Sequence, residues 1–228
     1  MSKKDTNIEF EEINGISTPT NEVESLQHFF EKNKNLILGG LGLFLVIIIG
    51  GYYYKNIYMP KAEMSANNDM FDAQYYFEKD SFALALNSDG GFLDVINNHG
   101  NTKAANLANY YAGLCYYNLA NYSEAITYLN AYKTKDEILG AMALGVLADA
   151  QMENGDTDAA LISYKKSATF SDNEASAPYL LKKAGVAFEN NGNSQQALYF
   201  YTEIKTSFPQ SEIARDIEKY IGRVEAKL

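Results

Sequence analysis

Nineteen consecutive residues, Leu36–Tyr54 (LILGGLGLFLVIIIGGYYY), carry no charge, and no other stretch limits the fold so strongly. As an α-helix rising about 1.5 Å per residue, it reaches roughly 28 Å, close to the ~30 Å hydrocarbon core of a bilayer. Its eleven Leu, Ile, Val and Phe residues each favour insertion by about 0.3–0.6 kcal/mol at the centre of a span. That sum outweighs the cost of its five glycines. Tyr52, Tyr53 and Tyr54 close the stretch where an interfacial aromatic anchor is expected, and Lys55 ends it. A core helix of a soluble protein is rarely this long without a polar residue. A signal sequence rarely follows 35 polar residues, and no small-x-small cleavage site comes after it. A single transmembrane helix over residues 36–54 is therefore expected.

Before the span, residues 1–20 are polar, with Glu9, Glu11 and Glu12 clustered, and read as a disordered tail. Over residues 21–34, Val23, Leu26, Phe29 and Phe30 recur on one helix face. Asn21 with Glu24 has the spacing of a capping box, so a short amphipathic helix at the membrane surface is expected there. The flanking cations do not settle orientation: Lys32 and Lys34 precede the span, and Lys55 and Lys61 come after it. Lys3 and Lys4 tip the balance only slightly toward a cytoplasmic N-terminus. From residue 62 onward, 22 acidic residues face 13 basic ones. An acidic domain with no basic cluster argues against nucleic acid or an anionic membrane surface as a partner.

Internal repetition organises the chain beyond Pro60. Ala112-Gly113, Tyr116, Ala125 and Leu129 are followed by Leu147-Ala148, Gln151, Ala160 and Tyr164, then by Ala184-Gly185, Phe188, Ala197 and Tyr201. Corresponding positions step by 35 and then 37 residues. Turn residues Ala120-Asn121-Tyr122, Gly155-Asp156-Thr157 and Gly192-Asn193-Ser194 fall at the same phase. Small residues at fixed places let helix pairs approach closely and stack, burying a face that no single pair could bury. The segments resemble tetratricopeptide repeats, which have a period near 34 residues. Pro209 matches the terminal proline of that pattern, whereas Gln151 and Asp172 depart from it. The expected fold is all-α: an N-terminal transmembrane helix and then a tetratricopeptide-repeat α-solenoid over residues 62–228. Repeats are expected at about 106–140, 141–177 and 178–211. Ser211 is expected to cap a final helix over 212–227, and residues 62–99 to form an irregular first helix pair.

The stretch NEVESLQHFFEKNKNLILGGLGLFLVIIIGGYYY, with a repeat domain after it, resembles the bacterial ancillary SecYEG translocon subunit family. The resemblance implies an inner-membrane, single-pass protein with a cytoplasmic N-terminus and a periplasmic repeat domain. Its implied partners are the SecYEG translocon, a membrane-anchored chaperone of the peptidyl-prolyl isomerase class, and exported chains. A scaffold in another envelope assembly, such as cell division or outer-membrane biogenesis, shares the same sequence features. So does a cytoplasm-facing tetratricopeptide regulator.

No catalytic constellation stands out, and neither a cofactor nor a metal is expected. His28 and His99 lie 71 residues apart, and Cys115 is the lone cysteine, which leaves no metal-ligand spacing and no nucleophile–base pair. Asp89 beside Gly90 and Gly91 lacks the alternating oxygen ligands of a calcium loop. By resemblance, the first helix of each repeat lines a concave groove. That places Leu107, Tyr110, Leu114 and Tyr117 in it from the first repeat, and Met142, Asp149 and Met152 from the second. The third supplies Tyr179, Lys182, Val186 and Glu189. Such a lining suits a helix or extended apolar segment of another protein, unless residues 62–98 fill the groove instead. Within the span, Gly39, Gly42 and Gly50 fall near one face, where a partner helix could approach closely.

Overall fold

The computed structural model describes residues 19–170 and 172–228, with side chains from Leu26 onward. Among them every regular element is helical. The chain divides into two units, one ending at Tyr58 and the other running from Met59 to Leu228.

The first unit is one helix, α1 (Pro19–Tyr53), and then a π-helical turn at Tyr54–Tyr58. The amphipathic segment expected over 21–34 and the span expected over 36–54 are not separate elements, because no glycine or proline interrupts residues 20–38. Within the described residues the helix runs from Pro19, so Asn21 lies inside it and not ahead of it. The side chains of Asn21, Val23 and Glu24 lie outside the described residues, as does the tail expected before Pro19. Leu36, Leu41, Phe44 and Ile47 stand 55–77% exposed. This helix is long and apolar enough to cross a membrane, judged by length and composition.

The second unit is built from helix pairs. Helices α5 (Lys103–Asn118) and α6 (Tyr122–Ala131) form one pair, α7 (Glu137–Glu153) and α8 (Thr157–Ala168) the next. Helices α9 (Ala177–Asn190) and α10 (Ser194–Ser207) complete the series. Each pair packs on the next one. Ala125, Ala160 and Ala197, equivalent in the three second helices, are completely buried. A Cβ added at Gly113 would strike Leu129, and one at Gly185 would strike the Tyr201 ring. The repeated small residues thus mark where one helix sits directly against its partner's bulky side chain. The first helices begin at Lys103, Glu137 and Ala177, a few residues ahead of the repeat starts expected near 106 and 141. A longer connection precedes α9.

The turns inside the pairs share one geometry. The N–H groups of Asn121, Asp156 and Asn193 donate to the carbonyls of Tyr116, Gln151 and Phe188 at 2.8–2.9 Å. Ala120, Gly155 and Gly192 each take the left-handed conformation, with φ of 58°, 87° and 77°. These are Schellman motifs, which satisfy the last carbonyls of each first helix. The same motif occurs once more upstream: Ser81 N–H donates to Tyr76 at 2.9 Å, and Asp80 has φ 54°. Ala73 and Ala85, completely buried, stand where Gly113 and Ala125 stand in the next pair. Helices α2 (Met59–Glu78) and α3 (Phe82–Asn87) therefore form a further repeat. Its second helix is cut short at Gly90-Gly91, where an added Cβ would meet Asp69 and Leu86 backbone oxygens. The chain resumes as α4 (Phe92–Asn98), which delivers Phe92 and Val95 to the core.

Phe92 stacks on Tyr111 at 5.1 Å, and Phe77 meets both rings edge-on. Glu63 of α2 ties this pair to the next one, because its carboxylate accepts the Lys103 and Ala104 N–H groups at 2.7 and 2.8 Å. At the other end, the single capping helix expected over 212–227 is a 3-10 turn, Ile213–Asp216, and then α11 (Ile217–Glu225). Ser211 Oγ accepts the Ala214 N–H at 3.2 Å, starting that turn. Ile217, Ile221 and Val224 of α11 are buried in the cluster built by α8, α9 and α10.

Candidate functional site

The eleven residues expected to line one groove divide by environment. Leu107 packs against the cluster formed by α2–α5, so its place is taken by the chain's own first repeat. Tyr110 and Tyr117 pack on a middle cluster around Ala125, Leu129, Leu147 and Ala150. The Tyr110 ring lies 5.3 Å from Tyr132, and the Tyr117 ring 5.8 Å from Tyr122. Burial raises both phenols above the ordinary tyrosine range; nearby tyrosines add to this at Tyr110, and the Asp149 and Glu153 charges do so at Tyr117. Leu114 and Met142 are half-buried.

Met152, Tyr179, Lys182 and Val186 come together. They line a cleft of about 590 Å³ with Thr157, Tyr164, Lys183, Ala187, Asn190, Asn191 and Ile213. Helices α7 and α9 present the wall as neighbouring first helices, and Ile213 closes one side from the 3-10 turn. Asp149 sits at the cleft's edge in a part-buried pair. It accepts the Tyr164 hydroxyl at 2.6 Å on Oδ1 and the Lys183 ammonium on Oδ2. Burial and this hydrogen bond push the Tyr164 phenol upward. Lys182 stands 4.8 Å from the Tyr220 ring centroid, and Arg223 lies at the same distance from that ring. The cleft thus combines an apolar wall with the Lys182 ammonium at its rim.

Glu189 does not line the cleft. Its side chain is 6% exposed and is enclosed by α11. Arg223 donates from Nε and Nη2 at 2.7 and 2.6 Å, Lys227 Nζ at 2.9 Å, and the Tyr201 hydroxyl at 3.0 Å. The Arg223 hydrogen bonds foremost, opposed by burial and helped by Lys227 and Tyr201, hold its carboxyl down at about 2. The repeat register gave Glu189 the phase of a groove residue but carried no signal that α11 would fold back over it. The Asp149–Lys183 pair was equally out of view, although the two lie 34 residues apart, near the repeat period.

Cys115 is completely buried, and burial pushes its thiol up to about 12, so it stays protonated and inert. Among the described residues no group of three or more His, Cys, Asp or Glu side chains is placed to hold a metal ion. In α1, nothing stands within 4 Å of a Cβ built on Gly39, Gly42 or Gly50.

Two tetratricopeptide repeat family models match the chain, one over residues 107–136 and the other over 146–212. No curated protein matches it. The helix pairs are tetratricopeptide repeats stacked into an α-solenoid, and such repeats make this a protein–protein interaction module. Neither match reaches α2 and α3, whose shortened second helix and Asp80 turn depart from the repeat pattern.

Proposed function

We propose that the chain is a membrane-anchored, non-catalytic adaptor that holds an apolar segment of another protein in the cleft between α7 and α9. We further propose that it serves as an ancillary subunit of the Sec translocon, binding exported chains and a membrane-anchored chaperone of the peptidyl-prolyl isomerase class. In this reading α1 crosses the inner membrane once, the N-terminus is cytoplasmic, and the repeats stand in the periplasm. Gly39, Gly42 and Gly50 offer a surface to a partner span.

The observation that supports binding is the cleft itself, where Met152, Tyr179 and Val186 converge beside Lys182. Apolar side chains with a few polar groups at the margin suit an apolar peptide segment. The translocon assignment draws on the resemblance of residues 21–54 and on the order of elements after them. Anchoring adds to affinity by raising the local concentration of membrane-bound partners.

The test is crosslinking of the full chain in native membranes, with mass spectrometry of the products. Recovery of Sec subunits and a periplasmic chaperone, reduced by Met152→Ala with Tyr179→Ala, is the expected result. Recovery of division or outer-membrane assembly proteins without Sec subunits would overturn the assignment. A reporter fused at Leu228 and active only in the cytoplasm would overturn the topology.

A further inference from the structure

Helix α2 buries one face and leaves the opposite one open. Ala66, Met70 and Ala73 are almost completely covered, while Met64, Phe71 and Tyr75 are 68%, 69% and 54% exposed. Lys61 and Asn68, also exposed, fall in line with them. Lys61, Met64, Asn68, Phe71 and Tyr75 alternate at intervals of three and four residues, the 3.5-residue period of a coiled-coil seam. In heptad terms Lys61, Asn68 and Tyr75 occupy a positions, and Met64 and Phe71 occupy d positions.

We propose that this seam pairs with the same seam of a second copy of the chain, in parallel and in register. Several features favour a copy of itself as occupant. Asn68 would meet Asn68 of the second copy, a polar a-position pair that satisfies itself and fixes both register and the two-stranded state. At the edges, Asn67 would face Asp72 of the second copy, an amide donor opposite a carboxylate acceptor. Lys61 is the one like-charge meeting, and its long stem lets the ammonium turn out to water. Parallel orientation comes from the reading of α1 as a membrane anchor, on which the proposal rests to that extent.

The size of the seam sets the strength of the pairing. Its three large apolar side chains expose on the order of 400 Å² per copy, about half of what each partner contributes to a standard interface. Pairing is therefore weak between free domains and depends on two copies sharing one bilayer, which raises their effective concentration.

The test uses the full chain in native membranes and in lipid nanodiscs. Asn68→Cys and, separately, Phe71→Cys should form a disulfide-linked homodimer on mild oxidation. Ile162→Cys, exposed on α8, should not, and Cys115 is buried and silent. Phe71→Glu with Tyr75→Glu should weaken dimerisation by at least about 100-fold, measured as the dimer fraction against protein density. Helicity and melting temperature should be unchanged, since neither side chain belongs to the buried core. Met152→Ala with Tyr179→Ala should leave the crosslink intact, which separates failure of the cleft reading from failure of this one. Equal crosslinking at Ile162→Cys, crosslinking of Asn68→Cys only to a different protein, or a dimer indifferent to the two glutamates would each overturn the proposal.

Discussion

Replacing Glu189 by glutamine isolates what the carboxylate does for the C-terminal end of the solenoid. In the wild type it receives two hydrogen bonds from Arg223, one from Lys227 and one from Tyr201. Its carboxyl is held down at about 2, against an ordinary value of 4.5. A carboxyl lowered in the folded state contributes stability that is present above its unfolded value and lost as pH falls through the folded one. The full shift corresponds to roughly 3 kcal/mol. Arg223 and Lys227 are each half exposed, so screening by solvent brings the expected contribution to about 1–2 kcal/mol. Glu189→Gln should therefore lose about 1–2 kcal/mol at pH 7 and little at pH 2. The stability difference between the two proteins should close between about pH 4.5 and pH 2. The measurement is urea unfolding of the purified full chain in mild detergent, monitored by far-ultraviolet circular dichroism at several pH values. Amide hydrogen exchange in α11 should rise in the variant before exchange in α5 or α7 does. A difference that is constant with pH, or unaltered protection of α11, would refute the assignment of Glu189 as the group that fastens the last helix.

Gly185→Ala should destabilise by about 1–3 kcal/mol, because the added methyl strikes the buried Tyr201 ring; thermal unfolding reads this directly. Ala120→Gly should stabilise by about 0.5–1 kcal/mol, since Ala120 is held at φ 58°; an unchanged or lower melting temperature would contradict the turn geometry. Glu63→Ala should cost about 1–2 kcal/mol and expose the first amides of α5 to hydrogen exchange, because that carboxylate caps Lys103 and Ala104.

Much of this protein is legible in its sequence because the determining interactions are local. The apolar stretch of α1 reads as a span by composition and length alone. The helix pairs after residue 103 show themselves because Ala125, Ala160 and Ala197 each report close approach between adjacent segments, at the same phase as a left-handed turn. Over residues 62–99 only an irregular helix pair is legible, because the second helix is interrupted at Gly90-Gly91 and resumes as α4.

Tertiary structure decided which register-equivalent residues face a cleft and which are covered. Val186 and Glu189 both lie on α9 within one turn, yet Val186 lines the cleft while Glu189 is enclosed by Arg223 and Lys227. The difference lies in α11, more than thirty residues further on. Its buried stripe of Ile217, Ile221 and Val224 has to dock on the preceding helices, and that docking brings two cations onto one carboxylate. Leu107 is covered by α2–α4 for the same kind of reason. Local periodicity fixes the helices and their phase, because each bond involved spans a few residues. Which face stays open depends on where distant apolar stripes come to rest, and that is settled only when the whole stack packs.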